Sequence, residues 1–118
     1  MKLEQILSDS NYSLSLFSQA EIDALENRIF GKEVRGKETF FVECLIRARE
    51  IVLKPEEVVR QLYLDQLINR YGYAKDRIAV EFSVSFGVEV KKADIVIRDR
   101  DYPDSAYIIV ELKKAQTF

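Results

Sequence analysis

The sequence contains no histidine and only one cysteine, Cys44, and these scarcities exclude several kinds of chemistry. A lone cysteine cannot form an internal disulfide, and without histidine or paired thiolates the usual zinc sites are ruled out. Ser-His-Asp and Cys-His catalysis within this chain are excluded as well. Any metal ion must therefore be bound by oxygen ligands, which favours Mg²⁺ or Mn²⁺. Cys44 lies in the apolar stretch FFVECLIRA and is expected to be a small core residue.

Long hydrophobic runs and a large excess of one charge are also missing. No run is long enough to cross a bilayer, and the first residues, MKLEQILSDSNYS, lack the apolar centre of a secretory signal, so a cytoplasmic protein without membrane contact is expected. The net charge of −2 argues against a strongly basic nucleic-acid-binding surface but allows a local basic face. The 118 residues, 47% of them hydrophobic, suit one globular domain.

Two segments have the periodicity of amphipathic helices. In SQAEIDALENRIFG, Ser18 and Glu21 form a capping-box pattern and Gly31 is a plausible stop. The stronger helix is KPEEVVRQLYLDQLINRYGY, with Pro55 at its first position and Gly72 at its end. Its predicted apolar stripe consists of Val59, Leu62, Tyr63, Leu67 and Tyr71.

The remaining segments favour strands. EVRGKET is expected to be a turn-rich connection, and TFFVECLIRAREIVLKP predicts two short strands that break near residues 47–50. RIAVEFSVSFG, KKADIVIRDR and AYIIVELKK then predict three strands in series. Short connections between these strands favour an antiparallel meander packed against the strong helix, in an α/β fold that borders on α+β.

Charged residues at the ends of these apolar strands are the candidate chemistry. Asp94 opens the run ADIVI, and Glu111 and Lys113 follow the apolar run AYIIV. If the last two strands pair, Asp94 and Glu111 approach each other, and a divalent cation would relieve their repulsion. Lys113, at the end of the same strand, and Glu57, on the strong helix, would complete a site for metal-assisted phosphodiester hydrolysis. The alternative is that Glu111 and Lys113 simply form a solvated strand end.

The segments PEEVVRQ, ADIVI and IIVELKK, in this order, resemble the N-terminal nuclease domain of type I restriction enzymes, within the PD-(D/E)xK, restriction-endonuclease-like superfamily. That domain occurs in restriction subunits and in some methylase subunits. The resemblance covers residues 39–118 and leaves residues 1–38 as a helical or loop extension. It implies a restriction-endonuclease-like core, in which a helix precedes a three-stranded, mostly antiparallel meander.

The resemblance also implies roles for individual residues. Asp94 and Glu111 correspond to the metal-binding acids of the motif, Lys113 to its lysine, and Glu57 to an acid on the first core helix, for which Glu56 is a weaker choice. Glu81 resembles a recurrent acid on the first core strand, with a cross-strand pair as the alternative. Arg60 and Gln61 belong to the helix pattern, in packing or in DNA contact. Apart from the resemblance, a modest basic face that binds DNA could be formed by Lys91, Lys92, Arg98, Arg100, Lys113 and Lys114; the alternative is that these are solvated surface side chains.

Two functions remain open at this point. One is an Mg²⁺-dependent (or Mn²⁺-dependent) DNA endonuclease domain of a type I restriction-modification system, which acts on double-stranded DNA with other subunits of that system. The other is an inactive nuclease-like module that binds DNA or a partner subunit. The superfamily core runs αβββαβ, and the last helix and strand are expected to be missing here. An exposed sheet edge would then allow a second copy to pair.

Overall fold

The computed structural model describes residues 2–8 and 14–112, which form three α-helices and two three-stranded antiparallel sheets. The helices are α1 (Lys2–Leu7), α2 (Gln19–Glu26) and α3 (Pro55–Asp65). The strands of the first sheet are β1 (Phe30–Val34), β2 (Lys37–Glu43) and β3 (Glu50–Val52). The strands of the second sheet are β4 (Ile78–Phe86), β5 (Glu89–Arg98) and β6 (Ala106–Val110). The predicted mixed class, with a helix before an antiparallel meander, is confirmed.

Helix α2 begins as its capping box predicts but ends earlier than expected. The Ser18 hydroxyl accepts a hydrogen bond from the backbone N–H of Glu21, and the Glu21 carboxylate accepts one from the backbone N–H of Ser18. The last helical residue is Glu26, and Asn27 is the C-cap. The prediction that Gly31 stops this helix is therefore wrong, because Gly31 already lies in β1.

Helix α3 has Pro55 at its start, continues as a π-helical turn over Gln66–Arg70, and is followed by Gly72 with a φ of +75°. Most of the predicted apolar stripe is buried or half-buried, but Tyr71 is 61% exposed. A π-helical turn holds more residues than an α-helical turn, so it rotates later side chains away from the stripe. Tyr71 was wrongly assigned to that stripe for this reason.

Two apolar clusters meet at α3 from different sides. The first cluster joins the helix to α1, α2 and the first sheet, through Leu3, Phe17, Leu25, Ile29, Val42, Leu53, Val58, Val59 and Leu62. The second joins it to the meander, through Cys44, Leu64, Ile78, Ile95 and Ile97. Because both clusters include residues of α3, polar side chains on this helix are buried along with the apolar ones.

The first sheet contains a hairpin that the sequence did not reveal. β1 and β2 pair from Phe30 opposite Phe41 to Val34 opposite Lys37. Arg35 and Gly36 make the turn with φ values of 53° and 80°, which suits a two-residue hairpin. The expectation of a turn-rich connection over EVRGKET is wrong, because only its two central residues leave the strands. The expected boundary between residues 38 and 39 falls inside β2, and the division into two domains stays a prediction.

The second sheet has the order β4-β5-β6 with antiparallel pairs throughout. Ile78 is buried, and Val80, Phe82 and Val84 are half-buried, whereas Glu81, Ser83 and Ser85 are exposed, as the period-two pattern predicts. β6 pairs only with the second half of β5, from Ile95 to Arg98. The first half of β5 and the partner half of β4 extend past β6 as a two-stranded ribbon. In the described part of the chain, no helix is both long and apolar enough to cross a membrane.

Candidate active site

The pairing of β5 with β6 brings the two predicted metal-binding acids to neighbouring positions. Ile95 is opposite Val110, so the same register continued by one residue sets Asp94 opposite Glu111, just after β6 ends. One oxygen of Asp94 accepts a hydrogen bond of 2.8 Å from the backbone N–H of Leu112. The Leu112 side chain packs against the first apolar cluster, so the segment after β6 is held on two sides. Asp94 is half-buried and Glu111 is exposed.

The guanidinium group of Arg60 is the centre of this region. Arg60 is 2% exposed, and it forms ion pairs with Glu57 through Nη1 and with Asp94 through Nη2 at 3.3 Å. Glu56 lies 3.2 Å from Nη2, and Glu81 lies 3.7 Å from Nη1. One buried cation therefore draws carboxylates from α3, β4 and β5 to one place.

Glu57 has a second cation on its other side. The Nη2 nitrogen of Arg47, in the turn between β2 and β3, lies 2.8 and 2.9 Å from the two carboxylate oxygens of Glu57. Burial lowers the pKa of the Arg47 guanidinium, but hydrogen bonds and attraction to Glu57 and Cys44 outweigh burial and leave the pKa raised. Glu57, only 8% exposed, is thus held between two arginines.

Arg47 also reaches the only thiol. Its backbone N–H and its Nε–H donate to the Cys44 sulfur at 3.4 and 3.3 Å. Burial raises the pKa of the Cys44 thiol, but hydrogen bonds from Arg47 bring the pKa below its ordinary value. Cys44 is 2% exposed and belongs to the second apolar cluster, so its predicted core position is confirmed.

Glu81 has an unusual backbone. Its φ of +54° lies in the left-handed region, which costs a residue with a side chain about 1–2 kcal/mol. The flanking pairs, Val80 with Ile95 and Phe82 with Ala93, put Glu81 opposite Asp94. Strained residues of this kind concentrate at functional sites, and this one carries a carboxylate that faces Arg60.

The network has more negative than positive charge. Among the described residues it joins four carboxylates, on Glu56, Glu57, Glu81 and Asp94, to two guanidinium groups, an excess of two negative charges. Glu111 would add a further one. All the donors are carboxylate oxygens, and Mg²⁺ often uses only one or two protein carboxylates. The donor set therefore suits Mg²⁺, although no three Asp, Glu, Cys or His side chains in residues 2–8 and 14–112 are arranged to hold a metal ion.

The predicted DNA-binding residues are spread over several environments. Lys91 and Lys92 are exposed on the β4–β5 ribbon, opposite Val84 and Ser83, so they face opposite sides of it. Arg98 is half-buried and donates to the backbone carbonyl of Asp76. Lys113 and Lys114 lie outside the described residues.

Burial separates the two alternatives for the helix pattern. Gln61 is fully buried, and its carbonyl oxygen accepts from the Leu45 N–H at 3.3 Å and from the Arg28 guanidinium at 3.5 Å. Arg60 is buried in its ion pairs. Both environments favour packing over direct contact with DNA.

Comparison with known families decides the relationship. The family model for the type I restriction enzyme R protein N terminus matches residues 55–117, which is more than half of the chain. The chain belongs to this family. Among curated proteins and among solved structures, there is no significant match. The family relates the chain to restriction-modification.

The match to the restriction enzyme R protein family begins at the first residue of α3 and includes the whole meander. It therefore contains Glu57, Arg60, Asp94 and Glu111, whereas Arg47 precedes it. The network thus combines residues of the matched segment with a cation from the turn between β2 and β3.

Sequence reasoning missed the roles of Arg47 and Arg60. For Arg60 a signal was available, because Glu56 and Glu57 precede it by four and three residues, the spacings at which helical side chains meet. For Arg47 no periodic signal exists, since it occupies an irregular turn.

Proposed function

We propose that this chain is the Mg²⁺-dependent DNA endonuclease domain of a cytoplasmic type I restriction-modification system, and that it hydrolyses phosphodiester bonds of double-stranded DNA. The observation that carries the proposal is the β5–β6 register, which ends with Ile95 opposite Val110 and so makes Asp94 and Glu111 the next residues of the two segments, beside a network of carboxylates with excess negative charge. Membership of the restriction enzyme R protein family supports the same reading.

In this proposal, the carboxylates of Asp94 and Glu111 bind the metal ion. The Leu112 N–H fixes one oxygen of Asp94 and so sets the direction of its carboxylate. Glu57, oriented by Arg47 and Arg60, is a further acid that shares the Arg60 guanidinium group with Asp94. Lys113 would neutralise charge that develops on the phosphate. When bound, Mg²⁺ supplies Lewis-acid polarisation of a phosphoryl oxygen.

The β4–β5 ribbon is the proposed path of the DNA. Lys92 is two residues from Asp94 on β5 and therefore on the same face of the sheet, next to its partner Ser83. Lysine and serine are common phosphate contacts, and phosphate contacts orient a duplex without reading its sequence. Other restriction-modification subunits would supply sequence recognition.

The test combines metal binding with DNA cleavage. Mg²⁺ is titrated by calorimetry without DNA into the wild type, Asp94→Asn and Glu111→Gln, and nicking of a supercoiled plasmid is then assayed with Mg²⁺ and with Mn²⁺. We expect the wild type to bind Mg²⁺ and to nick the plasmid, and both variants to lose binding and cleavage.

Glu89→Gln is the matched control, because Glu89 is an exposed acid on the same strand, five residues and roughly 16 Å from Asp94. It should behave as the wild type. Absence of Mg²⁺ binding in the folded wild type, or equal binding in all four proteins, would reject the metal site.

A second candidate is an inactive nuclease-like module that binds DNA or a partner subunit. It is favoured by one observation, that Glu57 and Asp94 are paired with arginines and that no three acids of the described residues form a metal-binding group. DNA binding without cleavage, unchanged in Asp94→Asn and weakened in Lys92→Gln, would support this candidate. Because phosphate contacts release counterions, such binding should fall steeply with salt, and a flat salt dependence would contradict it.

A further inference from the structure

Arg60 is buried in the position where a cation is needed. Its side chain is 3% exposed, and its Nη atoms contact the carboxylates of Glu57 and Asp94. Its Nε–H is buried without a hydrogen-bond partner among the described residues. A guanidinium group normally satisfies its donors when it leaves water, so this arginine is held by its charge rather than by a complete set of hydrogen bonds.

The two main contacts of Arg60 differ in strength. Glu57 is buried and forms the closest contact with the guanidinium group, whereas Asp94 is partly exposed and 3.3 Å away. The other Asp94 oxygen is tied at 2.8 Å to the Leu112 N–H, so the Asp94 carboxylate cannot move freely toward Arg60. Of these two contacts, the one between Arg60 and Asp94 is therefore the more easily broken by an incoming cation.

We propose that Arg60 is the resident cation of this network and that it competes with a divalent metal ion for Asp94. It is a positioning residue: it holds the acids together before metal arrives, and its charge weakens metal binding. Metal binding would release Nη2 from Asp94 while the pair with Glu57 persists. The inference rests on the metal site of the proposed function, and it adds the residue that regulates that site.

The charge balance gives the direction of the effect. The network carries an excess of two negative charges with Arg60 present and of three without it. Removing a positive charge within a few ångströms of a divalent ion strengthens the attraction of the remaining acids for that ion. Loss of the guanidinium group should therefore tighten metal binding, whereas an arginine that only preorganises the site would weaken it when lost.

The experiment is an Mg²⁺ titration by calorimetry without DNA, at about pH 8 and at constant ionic strength. Four folded proteins are compared: the wild type, Arg60→Met, Arg60→Lys and Arg70→Met. Methionine has similar length without the charge, and lysine keeps the charge without the forked geometry. Arg70 is an exposed residue of the π-helical turn after α3 and is the control.

We expect Arg60→Met to bind Mg²⁺ about tenfold more tightly than the wild type, and Arg60→Lys and Arg70→Met to stay within about twofold. Binding by folded Arg60→Met that is equal to or weaker than that of the wild type would overturn the inference and leave the metal site intact. If neither protein binds Mg²⁺, the inference and the metal site of the proposed function both fail.

A measurement on the wild type covers the case in which Arg60→Met does not fold. The side-chain Nε–Hε signal of Arg60 is followed by NMR during the Mg²⁺ titration. A shift of this signal at the same midpoint as the Asp94 and Leu112 amides supports the competition. Movement of those two amides while the Arg60 signal stays fixed would overturn it.

Discussion

The ion pair between Arg47 and Glu57 should stabilise the fold measurably, unlike an ion pair on the surface. Arg47→Met, Glu57→Gln and the double variant form a double-mutant cycle that isolates the interaction between the two side chains. The side chains are 17% and 11% exposed, and one Arg47 nitrogen lies within 2.9 Å of both carboxylate oxygens. The matched surface pair, Lys32 with Glu50, is 49% and 51% exposed.

The expected coupling energy for Arg47 and Glu57 is about 2 kcal/mol. A hydrogen bond to a charged group contributes about 1.5–3 kcal/mol, and breaking a fully buried pair costs about 3–5 kcal/mol. The lower range applies here because Glu57 keeps Arg60 as a partner when Arg47 is removed. For Lys32 and Glu50 the coupling should be about 0.5 kcal/mol or less, since solvent and salt screen an exposed pair.

Urea unfolding followed by circular dichroism measures the free energy of unfolding of each protein in both cycles. The slopes of the transitions should agree among the variants, so that shifts in midpoint report stability alone. A coupling energy for Arg47 and Glu57 no larger than that for Lys32 and Glu50 would refute the reasoning that burial strengthens this pair. A coupling of about 2 kcal/mol that persists in about 1 M salt would support it strongly.

Three further predictions concern the frame around the site. Gly72→Ala should lower the free energy of unfolding by about 1 kcal/mol through backbone strain, because φ is +75° there and the added Cβ would meet nothing within 4 Å. Gly31→Ala should change the free energy of unfolding little, since its Cβ would meet neighbours at an ordinary 3.7 Å. Equal unfolding energies for these two variants would contradict the backbone argument. Ser18→Ala should cost about 1 kcal/mol through loss of the α2 cap, in the same unfolding assay. The hydrogen bond from the Ser18 backbone lowers the pKa of Glu21 in the folded protein. Glu21→Gln should therefore lower the free energy of unfolding above the ordinary pKa of 4.5, and the difference from the wild type should fade as the pH falls through the lowered pKa of the folded state. A difference in unfolding free energy that does not depend on pH would exclude this contribution.

Local patterns in the sequence predict the frame of the site well. The capping box at Ser18 and Glu21 and the helix start at Pro55 depend on neighbours a few residues away, so they can be inferred from a single sequence. The alternation from Ile78 to Phe82 is equally local, and it predicts which face of β4 meets the core. The neighbouring positions of Asp94 and Glu111 follow from the pairing of two strands that are adjacent in the sequence.

The parts that the sequence does not predict depend on long-range packing or on irregular backbone. β1 and the first residues of β2 are mostly charged and exposed, so this part of the hairpin lacks the apolar alternation that identifies a strand. Arg60 is 34 residues from Asp94 in the chain, and its burial follows from α3 packing against both apolar clusters. Arg47 meets Glu57 only because the turn before β3 folds over the start of the helix.

The polar network is difficult to explain by stability alone. Removing two charges from water costs several kcal/mol for each ion, and well-packed apolar residues in place of a buried pair are often neutral or stabilising. Arg60 and Glu57 nevertheless lie on the helix that supplies Val58, Leu62 and other residues to the core. Since an apolar helix would serve the core at least as well, the buried charges point to a task that needs acids held close together. An excess of negative charge around Arg47 and Arg60 is a suitable arrangement for attracting the divalent cation of the proposed function.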